Sequence, residues 1–135
     1  MADASPSLMN FRDLGGAPAR DGVVASGRLF RSAQLSEIDD ETAAHLQRVL
    51  GIGVYLDFRT ELETDRDGQP RRLTQHGVRW HQHPFDISDA QFKAVRIPEA
   101  HDWQSLYVRA FERLAPELAG AIRIIAQEDV PLVFG

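Results

Sequence analysis

Two short apolar runs constrain this chain more than anything else in it. Residues 53–58 read GVYLDF and residues 130–134 read VPLVF. Neither shows the polar and apolar alternation of a half-exposed strand, and both are too short for a buried helix. The sequence around them alternates strand-like and helix-like segments, which is the pattern of an α/β fold with a parallel sheet. A strand that is apolar on both faces belongs in the middle of such a sheet, covered on each side.

The intervening segments fit that reading. Residues 28–32 (RLFRS) have strand character. Ser36 is a candidate N-cap, with Asp39 and Asp40 suited to a first turn. Ala43, Leu46, Val49 and Leu50 then follow helical spacing until Gly51. Residues 60–67 (TELETDRD) read as a polar turn or short helix, and residues 78–83 (VRWHQH) as a strand that Pro84 breaks. Residues 84–101 show no clear period. Residues 103–127 form the longest helical pattern. Trp103, Leu106, Tyr107, Ala110, Phe111 and Leu114 share a face, and Leu118, Ala121, Ile122 and Ile125 continue it. Pro116 is expected to break or kink that helix. Upstream, NFRDLGG (10–16) is turn-rich, and a second turn is expected at Asp21-Gly22.

The chain has 135 residues, enough for one domain. We expect a loose N-terminal arm over residues 1–9 and an α/β domain over residues 10–135. The VPLVF run is followed by Gly135 alone. A parallel strand needs a connection that returns to cover it. The sequence therefore predicts a C-terminally incomplete domain, with apolar surface exposed and a tendency to aggregate when isolated.

Composition narrows the function. The net charge is −5, with acidic and basic residues mixed, so no basic footprint marks a nucleic-acid partner. No apolar run approaches membrane-spanning length, which predicts no stable membrane insertion. Residues 1–10 lack a secretory pattern, and the expected location is cytoplasmic. Cysteine is absent, which excludes thiolate chemistry within these residues. Lys93 is the one lysine among 15 basic residues. Arginine suits bidentate phosphate contacts, although such a bias also follows from genome composition.

In open α/β sheets a ligand sits beyond the carboxyl ends of the strands. Three such ends carry reactive side chains: Arg31-Ser32, the run from Asp57 through Arg59 to Glu61, and Pro84-Phe85-Asp86. His81 and His83 sit two apart on one strand face, but two ligands do not make a zinc site. The polar face of an edge strand explains them better, and no metal or other cofactor is expected.

Taken in order, NFRDLGG (10–16), RLFRSAQLS (28–36), GIGVYLDFRTELE (51–63) and the His83-Pro84-Asp86 element resemble the N-terminal half of the bacterial tyrosine phosphatase family. That family includes atypical dual-specificity and phosphoinositide-phosphatase members. DWQSLYVRAF followed by VPLVF is similar to the segment that leads into its catalytic loop. The resemblance covers nearly all of residues 8–135. It implies a phosphotyrosine-protein-phosphatase-like parallel sheet flanked by helices. It also implies hydrolysis of phosphomonoesters through a cysteinyl-phosphate intermediate, on phosphorylated protein or phosphoinositide substrates.

In the family, the C-x5-R loop comes directly after the strand that resembles VPLVF. Its cysteine attacks phosphorus, and its N–H groups and arginine hold the phosphoryl oxygens. Cysteine, loop and signature arginine are all missing from this chain. Gly135 stands where the family often has histidine.

The resemblance makes Asp57 and Asp86 candidate catalytic residues. Asp57 would orient the signature arginine or assist proton transfer. Asp86, with Asp89 as a nearby competitor, would protonate the leaving oxygen. Arg59, Arg31 and Arg12 become candidate substrate-binding residues. Plainer readings stand beside each of these: an internal Asp57–Arg59 ion pair, an Asx-turn or helix cap at Asp86, and an Arg12-Asp13 pair that pins the arm to the sheet. Two alternatives compete with an enzyme. One is a non-catalytic phosphate-binding remnant or interaction module. The other is a haloacid-dehalogenase-type phosphotransferase, which needs an aspartate where this chain has Arg59. The substrate and the oligomeric state are not fixed by the sequence.

Overall fold

The computed structural model describes residues 8–85, 108 and 111–135. Among them, five strands form one sheet. These are β1 (Arg12–Asp13), β4 (Leu29–Arg31), β5 (Val54–Asp57), β6 (Arg79–Gln82) and β7 (Leu132–Phe134). Their order is β1-β4-β7-β5-β6. β7 pairs in parallel with β4 and with β5, and β5 pairs in parallel with β6. Only β1 runs antiparallel, on β4. The sheet is therefore mixed: a parallel set of four strands with one antiparallel edge. The hairpin of β2 (Pro18–Ala19) and β3 (Gly22–Val23) stands apart, turning at Arg20-Asp21.

The two apolar runs occupy the positions their composition demands. Every residue of β5 is buried, and β7 lies between β4 and β5. Alternation sends their side chains into two cores. Tyr55, Val133 and Phe30 enter one, with Leu35, Ile38, Ala43 and Leu46 above them and Leu73 and Val78 alongside. Val54, Leu56 and Leu132 enter the other, with Leu29 and Phe134 packed against it. Helix α1 (Asp40–Arg48) covers the first core together with the short α3 (Arg71–Gln75). Helix α4 (Ala115–Gln127) covers the second through Ala121, Ile124 and Ile125.

Local chemistry sets the helix ends. Asp39, not Ser36, caps α1: its carboxylate accepts from Thr42 N at 2.7 Å. Ser36 lies in a turn and bonds to the Gln34 side-chain oxygen instead. Gly51, at φ 72°, turns the chain from the end of α1 toward β5 in a conformation that L side chains rarely adopt. Thr60 and Glu63 cap α2 (Glu61–Asp67) reciprocally, which resolves residues 60–67 as a helix. Pro116 falls in the first turn of α4, where its missing N–H costs nothing, and Leu114 just before it is a turn. The break expected at Pro116 is thus a helix start. Ile122, assigned above to the apolar stripe, is 65% exposed, and Ile124 packs inward in its place.

The carboxyl ends of β4, β7, β5 and β6 lie on one edge of the sheet. Of the expected arm, Leu8 packs against the first core and Met9 O accepts from Ala33 N at 2.9 Å. No helix among the described residues is long and apolar enough to cross a membrane.

Candidate active site

The edge is stitched together by backbone at its centre. Gly135 N donates to Leu56 O at 3.1 Å and Phe58 N donates to Gly135 O at 2.9 Å. On the other side Ser32 N donates to Phe134 O at 3.0 Å. A Cβ at position 135 would collide with the Ser32 carbonyl, so the close approach of β4 to β7 there needs glycine. The Ser32 side chain is buried, and its hydroxyl has no hydrogen-bond partner among the described residues.

Asp57 ends β5 with a fully buried side chain. Its carboxylate accepts from Arg59 Nε at 3.0 and 3.1 Å, from Arg59 Nη2 at 2.9 Å and from the Arg59 backbone N–H at 3.1 Å. Trp80 on β6 adds its indole N–H at 2.9 Å. Arg59 Nη1 donates to Gly68 O at 2.9 Å, which ties the guanidinium to the end of α2. Arg59 is 7% exposed. Burial alone would lower its pKa, but the hydrogen bonds and charge of Asp57 outweigh that and raise it. Tyr55, two residues before Asp57 and on the same face, is pushed well up, first by burial and then by the Asp57 charge. The result is a closed ionic unit under the sheet edge. It uses three of the five N–H donors of the guanidinium and leaves two.

Arg31 and Arg12 form a different pair. They are register partners across β4 and β1, and both are exposed. Alternation places Arg31 on the face of Leu29, opposite to Tyr55 and Asp57. The fold therefore brings Asp57 to Arg59 and Arg12 to Arg31, and holds the two pairs on opposite faces with β7 between them. Neighbouring Asp13 pins the N-terminal turns, accepting from Gly15 N at 2.7 Å and Gly27 N at 2.8 Å. Asp86 and Asp89 lie outside the described residues, as do Trp103 and Tyr107.

With this geometry in hand, comparison with known proteins is decisive. A family model described as the tyrosine phosphatase family matches residues 4–135. The chain belongs to the tyrosine phosphatase family. Over 85 residues it is also 40% identical to the triple specificity protein phosphatase PtpB of Mycobacterium tuberculosis. That stretch is 62% of this chain but 29% of the relative, so the match spans less than a third of the curated protein's length.

Two members of the cluster around Asp57 were not visible as such in the sequence. Trp80 looked like one aromatic in a mixed strand. Only the β5–β6 register, which sets it beside Tyr55, shows it reaching Asp57. Tyr55 looked like core. The other histidine-bearing segment resolves simply: His81 is exposed on the edge strand, and His83 Nε2 lies 2.7 Å from Glu117 O on α4. Among the described residues no group of three or more acidic or imidazole side chains is placed to hold a metal.

Beside the Asp57 unit, on the outer side of β6, lies an open depression of about 270 Å³. Glu61, Thr64 and Asp65 on one face of α2 form one wall, and Trp80, Gln82 and Pro84 form the other, with Gln69 at the rim. Among the described residues, its lining contains no basic residue.

Proposed function

We propose that this chain supplies the substrate-side half of a protein-tyrosine or dual-specificity phosphatase site that hydrolyses phosphomonoesters through a cysteinyl-phosphate intermediate. The observation that carries this reading is the convergence of β4, β7 and β5 on one edge, with β7 in the middle and the Asp57–Arg59 unit beside its end. A phosphoryl group held beyond β7 would meet the place where α/β folds bind ligands. The nucleophile is not among these 135 residues, because none of them is cysteine.

In this proposal Asp57 and Arg59 act together. Asp57 fixes the guanidinium, and the two uncommitted N–H groups of Arg59 face the loop that carries the nucleophile or the phosphoryl oxygens. Arg31 and Arg12 attract the phosphorylated substrate along the opposite face of the same edge. Asp86 is the proposed general acid. The substrates are phosphorylated proteins or phosphoinositides. A second reading, a non-catalytic phosphate-binding module, draws on one specific feature: Arg12 and Arg31 lie directly opposite each other, an arrangement that favours a bound anion between them.

The test is hydrolysis of p-nitrophenyl phosphate by a polypeptide in which this sequence is continued by a C-x5-R loop. Turnover with a trapped phosphoenzyme, lost when the loop cysteine becomes serine, supports the enzyme. Phosphate binding without turnover supports the module instead.

A further inference from the structure

The depression between α2 and β6 has a chemistry opposite to that of a phosphate site. Among the described residues, its lining comprises two carboxylates, one hydroxyl, two amides, an indole and a proline, and no cation. Glu61 and Asp65 are four apart on α2, so like charges face each other along one side of the helix, an arrangement that disfavours a helix on its own. The helix dipole explains Glu61, which sits in the first turn, but not Asp65, which lies beyond it.

The nearby cations among the described residues are committed elsewhere. Arg59 is held by Asp57 and Gly68, and Arg66 pairs with Asp67 at 2.8 Å. The opposite wall is rigid: Trp80 is anchored through its indole N–H to Asp57, and Gln82 Nε2 reaches Thr64 Oγ1 at 3.5 Å. A fixed aromatic wall facing two unneutralised carboxylates suits a cation carried on an aliphatic stem. The volume suits one side chain rather than a larger ligand, since ordinary ligand pockets begin at about 300 Å³.

We propose that this depression binds an arginine or lysine side chain of a polypeptide, with the stem against Trp80 and Pro84 and the charge between Glu61 and Asp65. The binding statement is independent of the phosphatase reading. Its consequence rests on that reading: the depression opens beside the end of β5, so it would select phosphorylated substrates that carry a basic residue near the phosphoryl group.

Binding is tested on the 135-residue chain by titrating N-acetyl-arginine N-methylamide and following the Trp80 indole N–H by NMR. A Trp103→Phe variant assigns that signal, since the chain has two tryptophans. The expected result is a saturable shift. It weakens about tenfold in Glu61→Gln/Asp65→Asn and with the uncharged citrulline analogue, as for a lost charge-assisted contact. Asp65→Asn alone should weaken binding in the same direction without touching the α2 N-terminus. An absent or non-saturable shift overturns the proposal. So do equal binding of citrulline, unchanged binding in the variants, or a tighter response to calcium alone.

Selectivity is read separately in the polypeptide continued by a C-x5-R loop. Phosphotyrosine peptides with arginine rather than citrulline beside the phosphoresidue should show a lower KM at similar kcat, and the difference should vanish in the double variant. Arginine binding without any turnover leaves the site standing and removes the phosphatase reading. Turnover without an arginine preference removes the substrate role of the site.

Discussion

The sheet edge carries two pairs that involve arginine, Asp57–Arg59 and Arg12–Arg31, and they are opposites in structure. Arg59 is buried and held by a carboxylate partner two residues away, with an indole closing the unit. Arg31 and Arg12 are exposed and have each other as neighbours. The difference follows from which face each residue takes. Asp57 falls on the face of the larger core, where an unpaired charge is not tolerated and an internal partner becomes obligatory. Arg31 falls beyond Leu29, past the reach of the α4 core, where water solvates it. A buried ion pair adds little net stability over an apolar replacement, but breaking it strands a charge. The first pair is therefore suited to positioning and the second to encounter.

Four substitutions break or sharpen this contrast, from the largest effect to the smallest. Asp57→Ala strands Arg59 and should lower stability by about 3–5 kcal/mol, read by urea unfolding. Trp80→Phe removes one hydrogen bond to a charged acceptor and should cost about 1.5–3 kcal/mol, with the unfolding slope unchanged. Gly120→Ala places a Cβ 2.8 Å from His83 Cε1, so the ring must leave Glu117 O. The lost hydrogen bond, about 1 kcal/mol, is largely offset by the better helix propensity of alanine, so the net change by thermal unfolding should stay below about 1 kcal/mol, and the Asp57 unit stays intact. Arg31→Gln should change stability by less than about 0.5 kcal/mol, in the stabilising direction if the Arg12 repulsion is felt. The same variant should weaken binding of inorganic phosphate, measured by 31P NMR, and steepen the contrast with Asp57→Ala. A large stability loss in Arg31→Gln would erase the distinction between the pairs.

Much of the fold was legible because its strongest signals are local. GVYLDF and VPLVF could only be buried strands, and the neighbours they needed on each face followed from their lack of alternation. Residues 60–67 left a turn and a short helix open, and the Thr60–Glu63 capping box decides for the helix. Other features depend on distant residues. α3 is five residues long, begins at Pro70 and is held by one buried leucine, Leu73, so periodicity had nothing to register. Ser36 reads as the cap in sequence and Asp39 as a first-turn residue; with Leu35 and Ile38 both buried ahead of the helix, the first turn starts after them and Asp39 becomes the cap. The antiparallel β1 is two residues long and exists through its register with β4. At the site, Asp57 and Arg59 were legible as a pair because they are two apart. Trp80 was not, because its role comes from the β5–β6 register alone.

The proposal under test is that these residues support a cysteine-dependent phosphatase site without containing its nucleophile. The most direct measurement is p-nitrophenyl phosphate hydrolysis by the 135-residue chain alone, purified to constant specific activity. We predict a rate indistinguishable from buffer. A rate well above background that copurifies with the chain would contradict the account, because it would require a nucleophile other than cysteine among the residues described here.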